Sequence, residues 1–266
     1  MLVVILFTVG GSSSLRGQIT EPQPFPIAFE RGEVIRYKLR YSMIPVGKAR
    51  FEVQPKWYFF RGQPHYHFHV RGWSLESWDM IYKVRDHYHA IADTAHLQSL
   101  MAYRDVHEGP YRVHDRYFFL PDRQAVRSMR YQDGDTLDTT MQVPQPTYDL
   151  VTAIYHARGL DFSSAQPGDK FPMVVYLENE AFSLGVTYQG QDTIETDLGV
   201  FRCLVIRPEL VAGRVFKGQE DMTVYVTDDR NKIPVLIETA IFIGRIRAEV
   251  SGWEGLKYPL DARLSP

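Results

Sequence analysis

The sequence predicts an all-β, mostly antiparallel protein, a curved sheet or partly open β-barrel with one short helix near 147–158. Three observations carry that expectation. Apolar and polar residues alternate with a period of two over many short runs, which sends successive side chains to opposite faces of a strand. Gly, Pro, Asn and Asp punctuate those runs where hairpin turns would fall. The connections are too short for the crossover helices that parallel strands require. A chain of 266 residues with 44% hydrophobic content also suits one large β domain.

In chain order, a Pro-rich lead-in, EPQPFPIAFERGE, precedes the first alternation. Strands are expected at 33–42, 46–55, 65–73, 79–93, 97–106, 111–120, 125–132 and 137–143. Pro45, Arg61-Gly62, Glu108-Gly109-Pro110, Pro121-Asp122 and Asp133-Gly134 supply turns between them. The stretch 146–160, PTYDLVTAIYHARGL, breaks the pattern. Its Leu150, Val151, Ile154 and Tyr155 recur at helical spacing, with Thr147 as candidate N-cap and Gly159 past the end. Asp149 in the first turn and Arg158 in the last complement the helix dipole. Strands resume at 170–178, 182–189, 192–197, 200–209, 219–227, 233–243 and 244–252. Many short strands and one helix describe a barrel or sandwich, with the helix placed to plug or cap one end.

Leu2 to Val9 form an apolar run too short to span a bilayer, which needs roughly 20 residues. Small residues follow it, as in a secretory signal, although the basic n-region is missing. Residues 1–20 are therefore expected to be a truncated signal peptide and 21–266 a single β-rich domain, placed in the periplasm or secreted. No transmembrane helix is expected. A net charge of -2 offers no global attraction for nucleic acid, and no stripe of Lys and Arg at strand spacing is expected. Cys203 is the one cysteine, flanked by strand residues, and reads as a buried inert thiol.

The stretch 81–93, IYKVRDHYHAIAD, puts Asp86 on the apolar face with Tyr82, Val84 and Tyr88, while His87 and His89 share the other face with Lys83 and Arg85. A carboxylate there is either a buried hydrogen-bonded group, expected to meet a Tyr or Arg across the sheet, or part of a site. His65, His67 and His69 also share one face, and imidazoles two residues apart on a strand can converge on a metal. With His87 and His89 on a neighbouring strand they could make a metal site, but Lys83 and Arg85 continue the face of His87 and His89, which argues against a cation; no metal is expected, and no cofactor. Asp86 and Glu108 are candidate acid and base for a glycoside hydrolase, and Tyr88 with Arg104 a candidate pair for a polysaccharide lyase. No nucleophile elbow, phosphate loop, dinucleotide fingerprint or CxxC occurs.

The ordered blocks FERGEVIRYKLRYSMIPVGKARFEV (29–53), YKVRDHYHAIAD (82–93), YRDVHEGPY (103–111), YDLVTAIYHARGL (148–160), LGVFRCLVIRP (198–208) and VYVTDDRNKIPVLIE (224–238) resemble the bacterial exported family called domain of unknown function 3108. The resemblance covers about 28–256. It implies an exported, envelope-associated β protein and brings no activity. The histidines depart from the family pattern. Gly47 and Gly199 read as turn or bulge positions and Asp228-Asp229 as a hairpin tip.

The functional expectation is a β-barrel-like protein that holds an envelope lipid or glycan on a concave face lined by Trp73, Trp78, Tyr88, Arg104, Tyr111 and Tyr117. The alternative is a polysaccharide-degrading enzyme using Asp86, Tyr88, Arg104 and Glu108 on that face.

Overall fold

The structure is a computed structural model that describes residues 25–209, 222–240 and 245–265. Its first half consists of β1 (Val34–Tyr41), β2 (Ile44–Val53), β3 (Tyr58–Phe60), β4 (Gln63–Ser74), β5 (Arg85–Asp93), β6 (Ser99–Glu108), β7 (Tyr111–Leu120), β8 (Ala125–Gln132) and β9 (Asp135–Gln142). These pair antiparallel in the order β1-β2-β4-β5-β6-β7-β8-β9, and β3 is a short arm on β4. The second half consists of β10 (Thr147–Asp149), β11 (Lys170–Leu177), β12 (Glu180–Thr196), β13 (Gly199–Pro208), β14 (Met222–Thr227), β15 (Pro234–Ala240), β16 (Arg245–Glu254) and β17 (Arg263–Ser265). Its order is β10-β11-β12-β13-β14-β15-β16, with β17 on β13; only the β10–β11 pair is parallel. Pairing of β1 with β16 joins the halves into one mostly antiparallel open sheet, which does not close into a barrel.

Two short helices accompany the sheet: α1 (Glu76–Asp79) between β4 and β5, and α2 (Leu150–Ala157) after β10. α2 lies between the two halves. Val151 and Tyr155 pack on Phe29, Val53, Phe68 and Ala90 of the first half, where the Tyr155 ring stacks on Phe68 at 4.1 Å. Ala153 packs with Met173, Val175, Val186, Leu204 and Val224 of the second. The helix thus presents two apolar stripes to two sheet faces, which explains why an eight-residue segment, marginal alone, is held.

Polar groups fix both ends of α2. Asp149 is the N-cap: its Oδ1 accepts from the backbone N–H of Val151 and Thr152, and its Oδ2 from the hydroxyls of Ser99 and Thr152. Thr147, the expected cap, instead belongs to β10, because pairing with Val174 holds it extended. At the C-terminus Arg158 forms a bidentate ion pair with Glu33 at 2.6 and 2.9 Å and donates to the carbonyl of Asn231. Both partners are almost fully buried. The Asn231 amide in turn donates to the carbonyls of Tyr258 and Pro259, so the lead-in, helix, β14–β15 turn and C-terminal segment meet at one clasp.

The expected strands correspond closely to those seen, with three physical differences. Residues 79–84 are not strand, since the N–H groups of Ile81 and Tyr82 both donate to the Trp78 carbonyl and form a turn after α1. The runs 182–189 and 192–197 are one strand, β12, with a bulge between Tyr188 and Gly190. The three-residue strands β3, β10 and β17 are too short for periodicity to reveal. Gly199 has a φ of 117°, as a turn glycine should, whereas Gly47 does not need a left-handed backbone: a Cβ there would stand 2.7 Å from the Trp73 carbonyl oxygen across the ladder. Residues 1–20, 219–221 and 241–244 of the expected elements lie outside the described residues.

Removing one member of a buried ion pair strands the other. Glu33→Gln should lower unfolding free energy by about 3–5 kcal/mol in urea titrations followed by tyrosine and tryptophan fluorescence. An unchanged midpoint would show that the clasp does not hold the helix.

Candidate functional site

Cross-strand register decides what faces the helix. Val70, Tyr88, Arg104, Asp115 and Arg130 lie directly opposite one another on β4 to β8, and the next row toward the sheet interior runs Phe68, Ala90, Ala102, Tyr117 and Ser128. Arg104 Nε lies 2.9 Å from Asp115 Oδ2, and its Nη2 donates to Glu178 Oε1 at 2.9 Å. The Tyr117 hydroxyl donates to Asp115 Oδ2 at 3.0 Å, and Arg130 donates to the Tyr111 hydroxyl at 2.9 Å. Asp115 is completely buried, so its charge is tolerable only because Arg104, Arg130 and Tyr117 surround it. Burial pulls the Arg104 guanidinium down, but Tyr117, Asp115 and Glu178 outweigh it and hold its pKa above the ordinary arginine value.

Asp86 is inward and buried, as expected, but it meets neither a Tyr nor an Arg hydrogen-bond partner. Its Oδ1 accepts from the His107 backbone N–H at 3.0 Å, and the Glu108 carboxylate is a near neighbour. Desolvation, with the adjacent Glu108 charge, pushes Asp86 up to about 7. The Tyr88 and Tyr117 hydroxyls are both pushed up, chiefly by burial, which works against their acting as the base of a lyase.

The remaining expected ligand contacts separate. Trp73 is opposite Lys48 and Arg85, on the histidine face of β4, away from Tyr88. Trp78 sits at the end of the sheet, donating from Nε1 to the Pro45 carbonyl at 3.0 Å. Only Tyr88, Arg104, Tyr111 and Tyr117 share the helix-facing side, and the cavity beside Tyr88, Arg104 and Tyr117 is about 20 Å³, room for one water. Side chains and α2 fill the concave face.

The histidines lie on the other face, with Arg85. His67 Nε2 is 3.0 Å from His89 Nδ1, His69 Nε2 is 3.3 Å from His87 Nδ1, and the His69 and His89 rings stack at 4.0 Å. Desolvation and neighbouring imidazoles push His69 down to about 3, and desolvation, with His67 and His87, pushes His89 down to about 4. His65 is apart, bonded to the Gln63 carbonyl. Among the described residues no three His, Cys, Asp or Glu side chains are arranged to hold a metal ion. Cys203 is buried, its thiol pushed up to about 12 mainly by burial.

One end of the sheet carries features the sequence reading did not single out. Met43 (89% exposed) lies in the β1–β2 turn and Ile44 opens β2; Met80 (97%), Ile81 (73%) and Tyr82 follow α1. The Trp78 bond to Pro45 and the Leu75 N–H bond to the Val46 carbonyl hold the two loops side by side. Lys48 and Lys83 are exposed beside them.

Two comparisons bear on this arrangement. The family model described as protein of unknown function DUF3108 matches residues 36–251. The chain belongs to the DUF3108 family. This DUF3108 protein also shares its fold with the crystal structure of a beta-barrel-like protein of domain of unknown function DUF1849 from Brucella abortus. The two are 11% identical with a TM-score of 0.53, covering 85% of this chain and 99% of that one. No curated protein matches the sequence. No helix among the described residues is long and apolar enough to cross a membrane.

Because the folded pKa of Asp86 is raised, the native state binds a proton that the unfolded chain has lost, and Asp86 makes folding progressively less favourable as pH rises from about 4 to about 7. Asp86→Asn mimics the protonated acid. Its melting temperature should match wild type at pH 4 and exceed it at pH 8; a constant deficit at both would mean that Asp86 is ionised in the fold.

Proposed function

We propose that this DUF3108 protein is an exported β-barrel-like protein that binds envelope lipid at the exposed apolar rim, while its interior is structural. The observation that carries the reading is the rim itself. Met43, Ile44, Met80, Ile81 and Tyr82 stand exposed together on two loops tied to each other. Clustered exposed apolar side chains at a loop end mark an interaction surface, and burying each Met or Ile is worth on the order of 1.5–3 kcal/mol. Lys48 and Lys83 flank them, and apolar tips beside lysines complement an anionic bilayer surface, where each cation adds about 1 kcal/mol. The apolar run Leu2–Val9 supports placing the chain on the exported side, where it would meet such a surface. The filled concave face, with room for about one water beside Tyr88, Arg104 and Tyr117, supports a binding protein over a polysaccharide-degrading enzyme.

Vesicle flotation tests this directly. The protein should float with phosphatidylglycerol-containing vesicles, and the double variant Met80→Ser/Ile81→Ser should bind about tenfold more weakly or worse. These side chains touch little, so the variant should melt as wild type does. Absence of flotation by the wild-type protein, or flotation unaffected by the substitutions, would contradict the reading.

A further inference from the structure

The expected absence of a cationic stripe does not hold once the strands are paired. Arg36, Lys38 and Arg40 alternate along β1, and β2 sets Arg50 opposite Arg36 and Lys48 opposite Lys38. β4 continues one row with Arg71 opposite Arg50, and β16 places Arg247 opposite Arg40. Like charges directly opposite each other in a ladder are destabilising, and here four such pairs occur on adjacent strands. Arg36 pairs with Glu254, while the other carboxylates are shared: Asp197 serves both Lys38 and Arg40, Glu52 serves both Arg50 and Arg71, and Glu238 serves both Arg245 and Arg247. The Nε donors of Arg50 and Arg71 have no acceptor. All three arginines of the Arg36–Arg50–Arg71 row keep about a third of their side chains exposed.

Beside this row, Trp73 lies opposite Lys48, with the Arg71 guanidinium 6.0 Å from its ring centre. Cations at strand spacing, roughly 4.8 Å apart across the sheet, form a track for a chain bearing repeated negative charges. A half-buried aromatic at its edge adds a stacking surface for an apolar ring face.

We propose that this face of β1, β2 and β4 binds an acidic polysaccharide, with Arg36, Arg50, Arg71, Lys38 and Lys48 pairing successive carboxylates and Trp73 stacking on a sugar ring. The surface meets the apolar rim only at Lys48, its arginines stand apart from the rim loops, and the proposal does not depend on the lipid reading. Arginine forks suit carboxylates bidentately, and the track crosses the strands rather than following a groove of duplex dimensions.

Affinity electrophoresis of the full chain in gels containing polygalacturonate, with dextran as the neutral control, tests it. The protein should be retarded by polygalacturonate only, more at low salt than at high salt. Arg36→Gln/Arg50→Gln/Arg71→Gln should weaken retardation about tenfold, and Trp73→Ala should weaken it without removing the salt dependence. Met80→Ser/Ile81→Ser should leave it unchanged. If the triple variant does not fold, Lys38→Glu, an exposed charge reversal, takes its place with the same expectation. Equal retardation by dextran, no retardation by either polymer, unchanged retardation of the variants, or stronger binding to a single-stranded oligonucleotide than to polygalacturonate would overturn the proposal.

Discussion

The Glu33–Arg158 pair is buried where the two halves of the sheet, the C-terminus of α2 and the β14–β15 turn converge. Taking both charges out of water is costly, and the cost is met only because every guanidinium edge finds an oxygen: two on Glu33, one on Asn231 and one on Ala28. That requirement fixes the position of α2, and Asp149 fixes its other end through four donors. With both ends held, Val151 and Tyr155 fill one side of the concave space and Ala153 the other. An open sheet that would otherwise present a hollow face becomes a packed core.

With the interior filled, the two surfaces proposed for binding lie on the outside. The polar row Arg104–Asp115–Arg130 stands under this packing, where its charges are answered by one another, and Asp86 accepts from the His107 N–H. They behave as a buried network that specifies the register of β5 to β8. Two surfaces lack that mutual satisfaction. One is the rim of Met43, Ile44, Met80 and Ile81, and the other is the cationic face of β1, β2 and β4. Each has features a protein selected for stability alone would avoid: exposed apolar tips in the first, facing like charges in the second.

Much of the architecture was legible because its strands are long and alternate cleanly. The strands 111–120 and 125–132 appear with the expected bounds, and Asp86 inward with His87 and His89 outward follows from parity alone. Trp73 was misplaced although its parity with His65, His67 and His69 already put it on the outer face. The partners of Asp149 and Arg158 lie 50 and 125 residues away, a separation no local pattern encodes. The cationic face needed register, since only pairing shows Arg36, Arg50 and Arg71 side by side. The rim was hidden by treating Met80 to Val84 as strand, when the N–H groups of Ile81 and Tyr82 fold back to Trp78.

The central claim is that the interior stays closed while lipid is engaged at the rim, and amide hydrogen exchange with and without phosphatidylglycerol vesicles tests it most directly. Protection should increase at residues 42–46 and 76–84, with α2 and the Tyr88–Ala92 segment exchanging as slowly as in the free protein. Faster exchange in α2 on adding vesicles, with no change at the two loops, would show that the helix leaves the concave face to admit a ligand and would contradict the account.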